Sequence, residues 1–196
     1  KIISKYEGHI PCELVFQALD ALPEGFTCPA DRTKPWGTNH AVMMGAGVIK
    51  EPFAVINCDD FYGSDSYRVM GEFLANLPEG AKNTYAMVGF RVGNTLSESG
   101  TVSRGLCTAN DKNQLTSVVE RTKIQRMDGE VKFLDENEEW VATPDTTPAS
   151  MNFWGFTPDY FEYSQEFFKC FLSDPKNMEN LKSEFFIPLM VDKLIN

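Results

Sequence analysis

Short apolar runs alternate with helical stretches along much of the chain. Residues 53–58 form a nearly continuous apolar run, which is typical of a strand that is covered on both faces. Residues 84–92 and 151–156 are also predicted to be strands, and two hairpin-like stretches occupy residues 102–119 and 131–141. Because alternating strands and helices usually form parallel sheets, the pattern predicts an α/β fold with a largely parallel sheet. We expect a single domain over residues 1–196.

Start and stop signals predict four helices. A serine or threonine hydroxyl accepts one of the unpaired amide protons of a first turn, and Thr38 and Ser64 or Ser66 are placed to do so. Pro158 occupies a first helical position, where the missing N–H of proline removes no hydrogen bond. The predicted helices cover residues 38–50, 64–77 and 158–172, and a last helix starts near residue 178 and breaks at Pro188. Six aromatic side chains of the third helix are expected to face the core.

The charge balance of the chain is acidic. It has 18 Lys and Arg against 28 Asp and Glu, which gives a formal net charge of −10. Nucleic-acid and anionic membrane surfaces are bound by basic patches, so we expect neither as a partner. No apolar run approaches the roughly 18 residues of a membrane-spanning helix. The five cysteines are scattered and form no C-x-x-C pair, which predicts reduced thiols in a cytoplasmic protein.

Two adjacent carboxylates, Asp59 and Asp60, directly follow the apolar run at residues 53–58. Ligands of open α/β sheets bind beyond the carboxyl ends of the strands. Mg²⁺ prefers hard oxygen ligands, commonly one or two carboxylates together with substrate phosphates. Adjacent side chains of an extended segment point to opposite faces, so we expect only one of the pair to face a metal ion. Aspartate is also a common turn residue, and a simple turn is the alternative interpretation.

Two glycine-containing segments are further candidates for a ligand site. Residues 34–40 lead into a helix, and Gly37 would let a ligand approach the backbone closely. The amides beyond it attract anions or the carbonyl groups of a base. Residues 100–105 could be a strand with backbone-exposing glycines, in which Arg104 could contact phosphate. An ordinary helix start and a surface arginine are the alternative interpretations.

These three features, in this order and at these distances, resemble the sugar-phosphate nucleotidyltransferase family. The resemblance covers roughly residues 11–190. The family couples a nucleoside triphosphate to a sugar 1-phosphate, releases pyrophosphate and uses Mg²⁺. The resemblance therefore implies a Rossmann-like α/β/α sandwich with a mostly parallel mixed sheet, of the nucleotide-diphospho-sugar transferase type.

The resemblance also implies roles for individual residues. A glutamine and a Pro-x-Gly motif help the family to read the nucleotide base, and a strand ending in Gly-Asp supplies the metal ligand. Later glutamate and asparagine motifs lie near the sugar. On this basis we expect Asp59 to be the catalytic Mg²⁺ ligand, and the substrate-binding residues to be Gln17, Gly37, Thr38, Asp60, Gly100, Glu120 and Asn152.

Two departures from the family pattern lead to an expectation about activity. The family's Gly-x-Gly-x-Arg loop, which cradles the triphosphate, has no counterpart in residues 1–30, and a second metal-binding aspartate usually lies beyond the last helix. We therefore expect an interior fragment, truncated at both ends, that is inactive by itself. The alternative functions are a metal-dependent glycosyltransferase and a non-catalytic nucleotide- or sugar-binding domain. An exposed sheet edge would also favour pairing into a homo-oligomer.

Overall fold

The fold is that of a computed structural model, which describes residues 3–6 and 8–195. Within that range, seven strands form one sheet and five α-helices pack around it. The strands are β1 (Phe53–Val55), β2 (Ala86–Arg91), β3 (Val102–Ala109), β4 (Leu115–Met127), β5 (Glu130–Leu134), β6 (Trp140–Thr143) and β7 (Pro148–Phe156). The helices are α1 (Thr38–Met43), α2 (Ser64–Ala75), α3 (Tyr160–Ser173), α4 (Pro175–Glu179) and α5 (Ile187–Ile195).

The last strand, β7, organises the sheet. β2 pairs with one edge of β7, whereas β1 and β3 share the opposite edge. β1 pairs with residues 154–156 of β7, and β3 pairs with residues 149–150. From β3 the sheet continues through β4, β5 and β6 as a meander. All of these strand pairs are antiparallel.

The predicted parallel sheet was wrong, and so was the Rossmann-like α/β/α sandwich that the resemblance implied. The observed sheet is antiparallel and carries few helices. Helix α2 does carry the chain between two strands that run in the same direction, β1 and β2. The strand between them, however, is β7, which runs the opposite way. The strands from β3 to β6 are joined by short turns, which only antiparallel neighbours can use.

The individual elements largely follow the predicted pattern, but the helix starts differ from it. The predicted hydroxyl caps do not form, since Gly37 and Gly63 precede α1 and α2 and no side chain caps either helix. Pro158 lies before α3, which begins at Tyr160.

The helix predicted over residues 38–50 ends at Met43 and continues as a short 3-10 turn, Met44–Gly47. The helix predicted from about residue 178 is mostly absent, because α4 ends at Glu179 and α5 begins only at Ile187, with Pro188 in its first turn instead of breaking a helix. Proline is tolerated there because a first turn leaves its N–H groups unpaired. None of the helices in the described residues is long and apolar enough to cross a membrane.

The main core lies between the sheet and helices α1, α3 and α5. Phe156 of β7 stacks on Tyr160 of α3 with 3.7 Å between the ring centroids. The prediction that the aromatic side chains of α3 face the core is confirmed. Four of them are buried and the other two are partly buried against the same cluster: Tyr160, Phe161, Phe168 and Phe171, then Tyr163 and Phe167.

Gly37 lies where two distant stretches of backbone meet. Its φ of 101° and ψ of 175° belong to a region that is almost exclusive to glycine. The amide of Phe185 donates to the carbonyl of Trp36 over 2.7 Å, and the amide of Asn39 donates to the carbonyl of Phe185 over 3.0 Å. A Cβ atom at position 37 would lie 2.7 Å from both the N and O atoms of Phe185. Glycine is therefore required for the start of α1 to lie beside the segment that leads into α5.

Replacing Gly37 with alanine should destabilise the fold far more than the same change at Gly25. Both residues have a positive φ, but no atom lies within 4 Å of a Cβ built at Gly25. We expect Gly37→Ala to lower the free energy of unfolding in urea by at least about 3 kcal/mol, since backbone strain and overpacking add. Gly25→Ala should cost about 1–2 kcal/mol. Equal losses at the two positions would contradict the close approach to Phe185.

Candidate functional site

A cleft opens along the edge of β7 where β1 ends and β3 begins. Residues 151–153 lie between the parts of β7 that pair with these two strands. The gap leads into a cavity of about 410 Å³, which is within the usual range for small-molecule sites. Its walls come from β3, β4, β7, the segment after β1 and the starts of α1 and α5.

An irregularity in β7 shapes this cleft. The pairing of β7 with β2 moves from Met87 opposite Trp154 to Gly89 opposite Ser150, so two steps along β2 match four steps along β7. Asn152, in the middle of the bulge, has a φ of 59°. Asparagine is one of the few residues besides glycine that tolerate this left-handed conformation. Bulges and strained residues of this kind are concentrated at functional sites, and Asn152 lines the cavity.

The two adjacent carboxylates have different environments. Asp60 lines the cavity, where its Oδ2 atom accepts a hydrogen bond from Asn57 Nδ2 over 2.8 Å. Asp59 is exposed and is not among the residues that line the cavity. Only one of the pair therefore faces the cleft, and it is Asp60, whereas the resemblance implies Asp59 as the metal ligand.

Glu120 lies on β4 opposite Gly105 of β3, and both residues line the cavity. A Cβ atom at position 105 would lie 2.9 Å from Val118 Cγ1 but 3.5 Å from Glu120 Oε2, which is an ordinary contact distance, so Gly105 avoids crowding with Val118 and not with the carboxylate. Glu120 is solvent-exposed as a whole, but the surrounding protein displaces water from its carboxylate and raises its pKa. The positive charge of Arg104 acts in the opposite direction. The Arg104 guanidinium itself donates to the carbonyls of Ser103 and Thr95, over 2.7 and 3.0 Å.

Of the remaining predicted site residues, Thr38 lines the cavity, whereas Gly100, Gln17 and Gly37 do not. Thr38 lines the cavity, and its Oγ1 atom accepts from the amide of Ile187 over 3.2 Å. Gly100 lies in the exposed loop before β3 and outside the cavity lining. Gln17 and Gly37 are joined by a hydrogen bond and are also outside the lining. The structure thus brings together Thr38, Asp60, Glu120 and Asn152.

Gln17 and His40 support the backbone behind the cleft. His40 is 0% exposed, and its Nε2 atom lies 2.8 Å from the carbonyl oxygen of Ala21. A carbonyl can only accept, so Nε2 carries the proton and Nδ1 accepts from Gln17 Nε2 over 3.1 Å. The same Gln17 nitrogen donates to the carbonyl of Gly37 over 3.0 Å. This arrangement requires a neutral imidazole, and burial lowers the pKa of His40 accordingly.

Sequence reasoning did not identify several residues of the cleft. Asn57 interrupts the apolar run just before the two aspartates, which is a signal that the sequence contains. Phe186 and Pro188 give the cavity an apolar side, and neither was predicted to be a site residue. They reach the cleft because α5 packs on β4, which is a contact between segments far apart in the chain.

The donor atoms of the cleft suit a cation that arrives with its ligand. In the part of the chain that the structure describes, no three His, Cys, Asp or Glu side chains are grouped to hold a metal ion. Asp60 supplies one carboxylate, and its hydrogen bond from Asn57 falls on Oδ2. Mg²⁺ commonly takes one or two carboxylates and completes its shell with phosphate oxygens and water. The described residues therefore offer no closed protein site for a metal ion, and Asp60 would be one carboxylate ligand of a Mg²⁺ whose other ligands come from elsewhere.

Comparison with known proteins identifies no family. No protein-family model matches the chain, and no curated protein matches it. The chemistry of the cleft is therefore what bears on function.

Replacing Glu120 with glutamine should stabilise the protein at neutral pH. The raised pKa means that the folded state holds the Glu120 proton more tightly than the unfolded state, so ionisation opposes folding. We expect Glu120→Gln to raise the melting temperature at pH 7, and the gain to vanish below about pH 4, where the carboxyl is protonated in both states. Glu98→Gln, at an exposed loop position, is the matched control. An equal effect of both variants at pH 7 would refute the account of Glu120.

Lowering the pH should reduce the stability that the hydrogen bonds of Gln17 and His40 contribute to the fold. Unfolded His40 binds a proton below about pH 6.5, whereas the buried, neutral ring in the folded state resists it. Its contribution to stability is therefore present above about pH 6.5 and is lost as the pH falls. We expect the melting temperature to drop more between pH 7.5 and pH 5 in the wild type than in His40→Gln, which cannot titrate. Parallel curves for the two proteins would contradict this.

Proposed function

We propose that this chain is a nucleotidyltransferase of the sugar-phosphate type. It would transfer a nucleoside monophosphate from a nucleoside triphosphate to a sugar 1-phosphate and release pyrophosphate. The observation that carries the proposal is that Thr38, Asp60, Glu120 and Asn152 line one cavity. They come from four separate segments of the chain, and nothing in their local sequence requires them to meet. The proposal includes a cytoplasmic location, which fits five free cysteines.

The residues that line the cleft offer both apolar surface and hydrogen-bonding groups to the sugar of a sugar 1-phosphate. Phe186, Pro188 and Met151 offer apolar surface, whereas Glu120 and Asn152 offer hydrogen-bonding groups. A sugar ring presents C–H groups on its faces and hydroxyls around its edge. Carboxylate oxygens accept from such hydroxyls, and amide groups both donate and accept. A cavity with one apolar side and several convergent polar groups is typical of small-molecule sites.

The proposed nucleotidyl transfer would require the side chains mainly to position the two substrates. A phosphate oxygen of the sugar 1-phosphate attacks the α-phosphorus in line and forms a new P–O bond. The bond from the α-phosphorus to its bridging oxygen breaks, and pyrophosphate leaves with the electron pair. The attacking phosphate is already anionic, so no general base is required. Catalysis then consists of positioning and charge neutralisation.

Each of these cleft residues would have its own role in positioning the substrates. Asp60 would hold Mg²⁺, which, when bound, offsets the negative charge of the phosphate oxygens. Glu120 and Asn152 would orient the sugar through its hydroxyls. Phe186 would cover the ring and exclude water from that side.

The direct test is to incubate the protein with Mg²⁺, each nucleoside triphosphate in turn and a panel of sugar 1-phosphates. Release of pyrophosphate together with a nucleotide sugar would support the proposal, and it would show that the expectation of inactivity, which rests on the missing counterpart of the Gly-x-Gly-x-Arg loop, is wrong. Consumption of a nucleotide sugar without pyrophosphate release would indicate a glycosyltransferase instead. Equilibrium binding of these compounds without turnover would indicate a non-catalytic binding domain.

The two aspartates should differ in their effect on that reaction. Asp60 faces the cavity and Asp59 does not, so Asp60→Asn should lower kcat/KM by about 10²–10³-fold, as expected for the loss of one electrostatic contact in a transition state. Asp59→Asn should lower it by less than about tenfold. Both variants are isosteric and remove one charge, so each is the control for the other. A larger loss for Asp59→Asn would assign the metal to Asp59, as the resemblance implies.

A further inference from the structure

One hydroxyl group joins the end of β1 to the middle of β7. Tyr62 is only 5% exposed, and its Oη atom accepts a hydrogen bond from the amide of Asn57 over 2.9 Å. The same Oη atom donates to the carbonyl of Met151 over 2.8 Å. Asp60 Oδ2 lies 3.4 Å away. Because a phenol has one proton, the shorter contact to Met151 takes it and the amide of Asn57 uses a lone pair.

The bridge lies where strand pairing stops. The last paired residue of β1 is Val55, and Asn57 and Met151 are beyond the paired region. The Tyr62 hydroxyl therefore forms the hydrogen bonds with the Asn57 amide and the Met151 carbonyl that a paired neighbouring strand would otherwise form. Burial raises the pKa of Tyr62 to about 12, so the hydroxyl keeps its proton throughout the neutral range.

The Tyr62 ring is anchored on the side of the sheet that faces α2. It packs edge-on against Phe153 with 5.0 Å between the centroids, and it also contacts the rings of Phe90 and Tyr67. Met70 of α2 is buried in the same cluster. Tyr62 is not itself among the residues that line the cavity. The Tyr62 side chain therefore lies behind the wall of the cavity.

We propose that Tyr62 is a positioning residue of the cleft. Its hydroxyl holds Asn57 against Met151 and so fixes the spacing between Asp60, which Asn57 contacts, and Asn152, which follows Met151. Asp60 and Asn152 are two of the groups that would hold the substrate, so the role in binding rests on the proposed function.

The test compares Tyr62→Phe with Tyr67→Phe. The first change keeps the ring and removes the bridging hydroxyl. Tyr67 packs on Tyr62 and Phe153, but it is 48% exposed, and its hydroxyl makes no hydrogen bond with the residues that the structure describes. It therefore controls for the loss of a tyrosine hydroxyl in the same aromatic cluster.

The first readout is amide hydrogen exchange by NMR, which needs no ligand. Tyr62→Phe should speed the exchange of the Asn57 amide relative to core amides such as that of Trp154 in the same sample, by about tenfold. Tyr67→Phe should leave this ratio unchanged. The same ratio in Tyr62→Phe as in the wild type would overturn the proposed bridge. Comparison within one sample separates a local change from a general loss of stability.

The second readout is calorimetric binding of each nucleoside triphosphate in turn in the presence of Mg²⁺ and without a sugar phosphate, so that no turnover can occur. We expect about tenfold weaker binding for Tyr62→Phe and unchanged binding for Tyr67→Phe. Binding by the wild type that Tyr62→Phe leaves unchanged would reduce Tyr62 to a structural residue and overturn the positioning role alone. Absence of binding in the wild type would count against the proposed function, and the positioning role would fall with it.

Discussion

The candidate site depends on the way one edge of β7 is divided between two other strands. β1 pairs with the end of that edge and β3 with its beginning, and the bulge around Asn152 separates them. A continuous neighbour along β7 would fill the gap with backbone and leave no cavity. The division also brings the segment after β1, with Asp60, close to β4, with Glu120. Polar side chains from segments far apart in the sequence, such as Asp60 and Glu120, can then face the same cavity.

Several features of the cleft oppose stability, and they occur together. Asn152 has a left-handed backbone, and Glu120 carries a carboxylate whose ionisation is disfavoured. Strain and perturbed titration are expected where geometry serves a ligand rather than the fold. By contrast, Gly37 and His40, which lie behind the cleft, contribute to stability by tight backbone contact and satisfied hydrogen bonds. This contrast between the cleft and its supports favours a functional interpretation of the cleft.

The sequence could predict the elements of this fold better than their arrangement. Hydrophobic spacing located the strands, both hairpins and the core-facing aromatic side of α3, because these patterns are local. The position of β7 between β1 and β2 is decided by pairing between residues roughly 60 to 100 positions apart, which no local pattern contains. The same limit applies to the site. Asp60 follows an apolar run and could be identified, whereas Phe186 reaches the cavity only through the packing of α5 on β4.

The most direct measurement is amide chemical-shift mapping by NMR while Mg²⁺ and each nucleoside triphosphate in turn are added to the protein without a sugar phosphate. The account predicts that the shifts cluster in the distant segments that meet at the cleft, near residues 38, 57–60, 120–122 and 150–152. Another cavity, of about 550 Å³, lies away from the cleft between the end of α2 and the start of α3, and its residues should not respond. Shifts confined to that other cavity, or no shifts at saturating ligand, would contradict the claim that the divided edge of β7 forms the binding site.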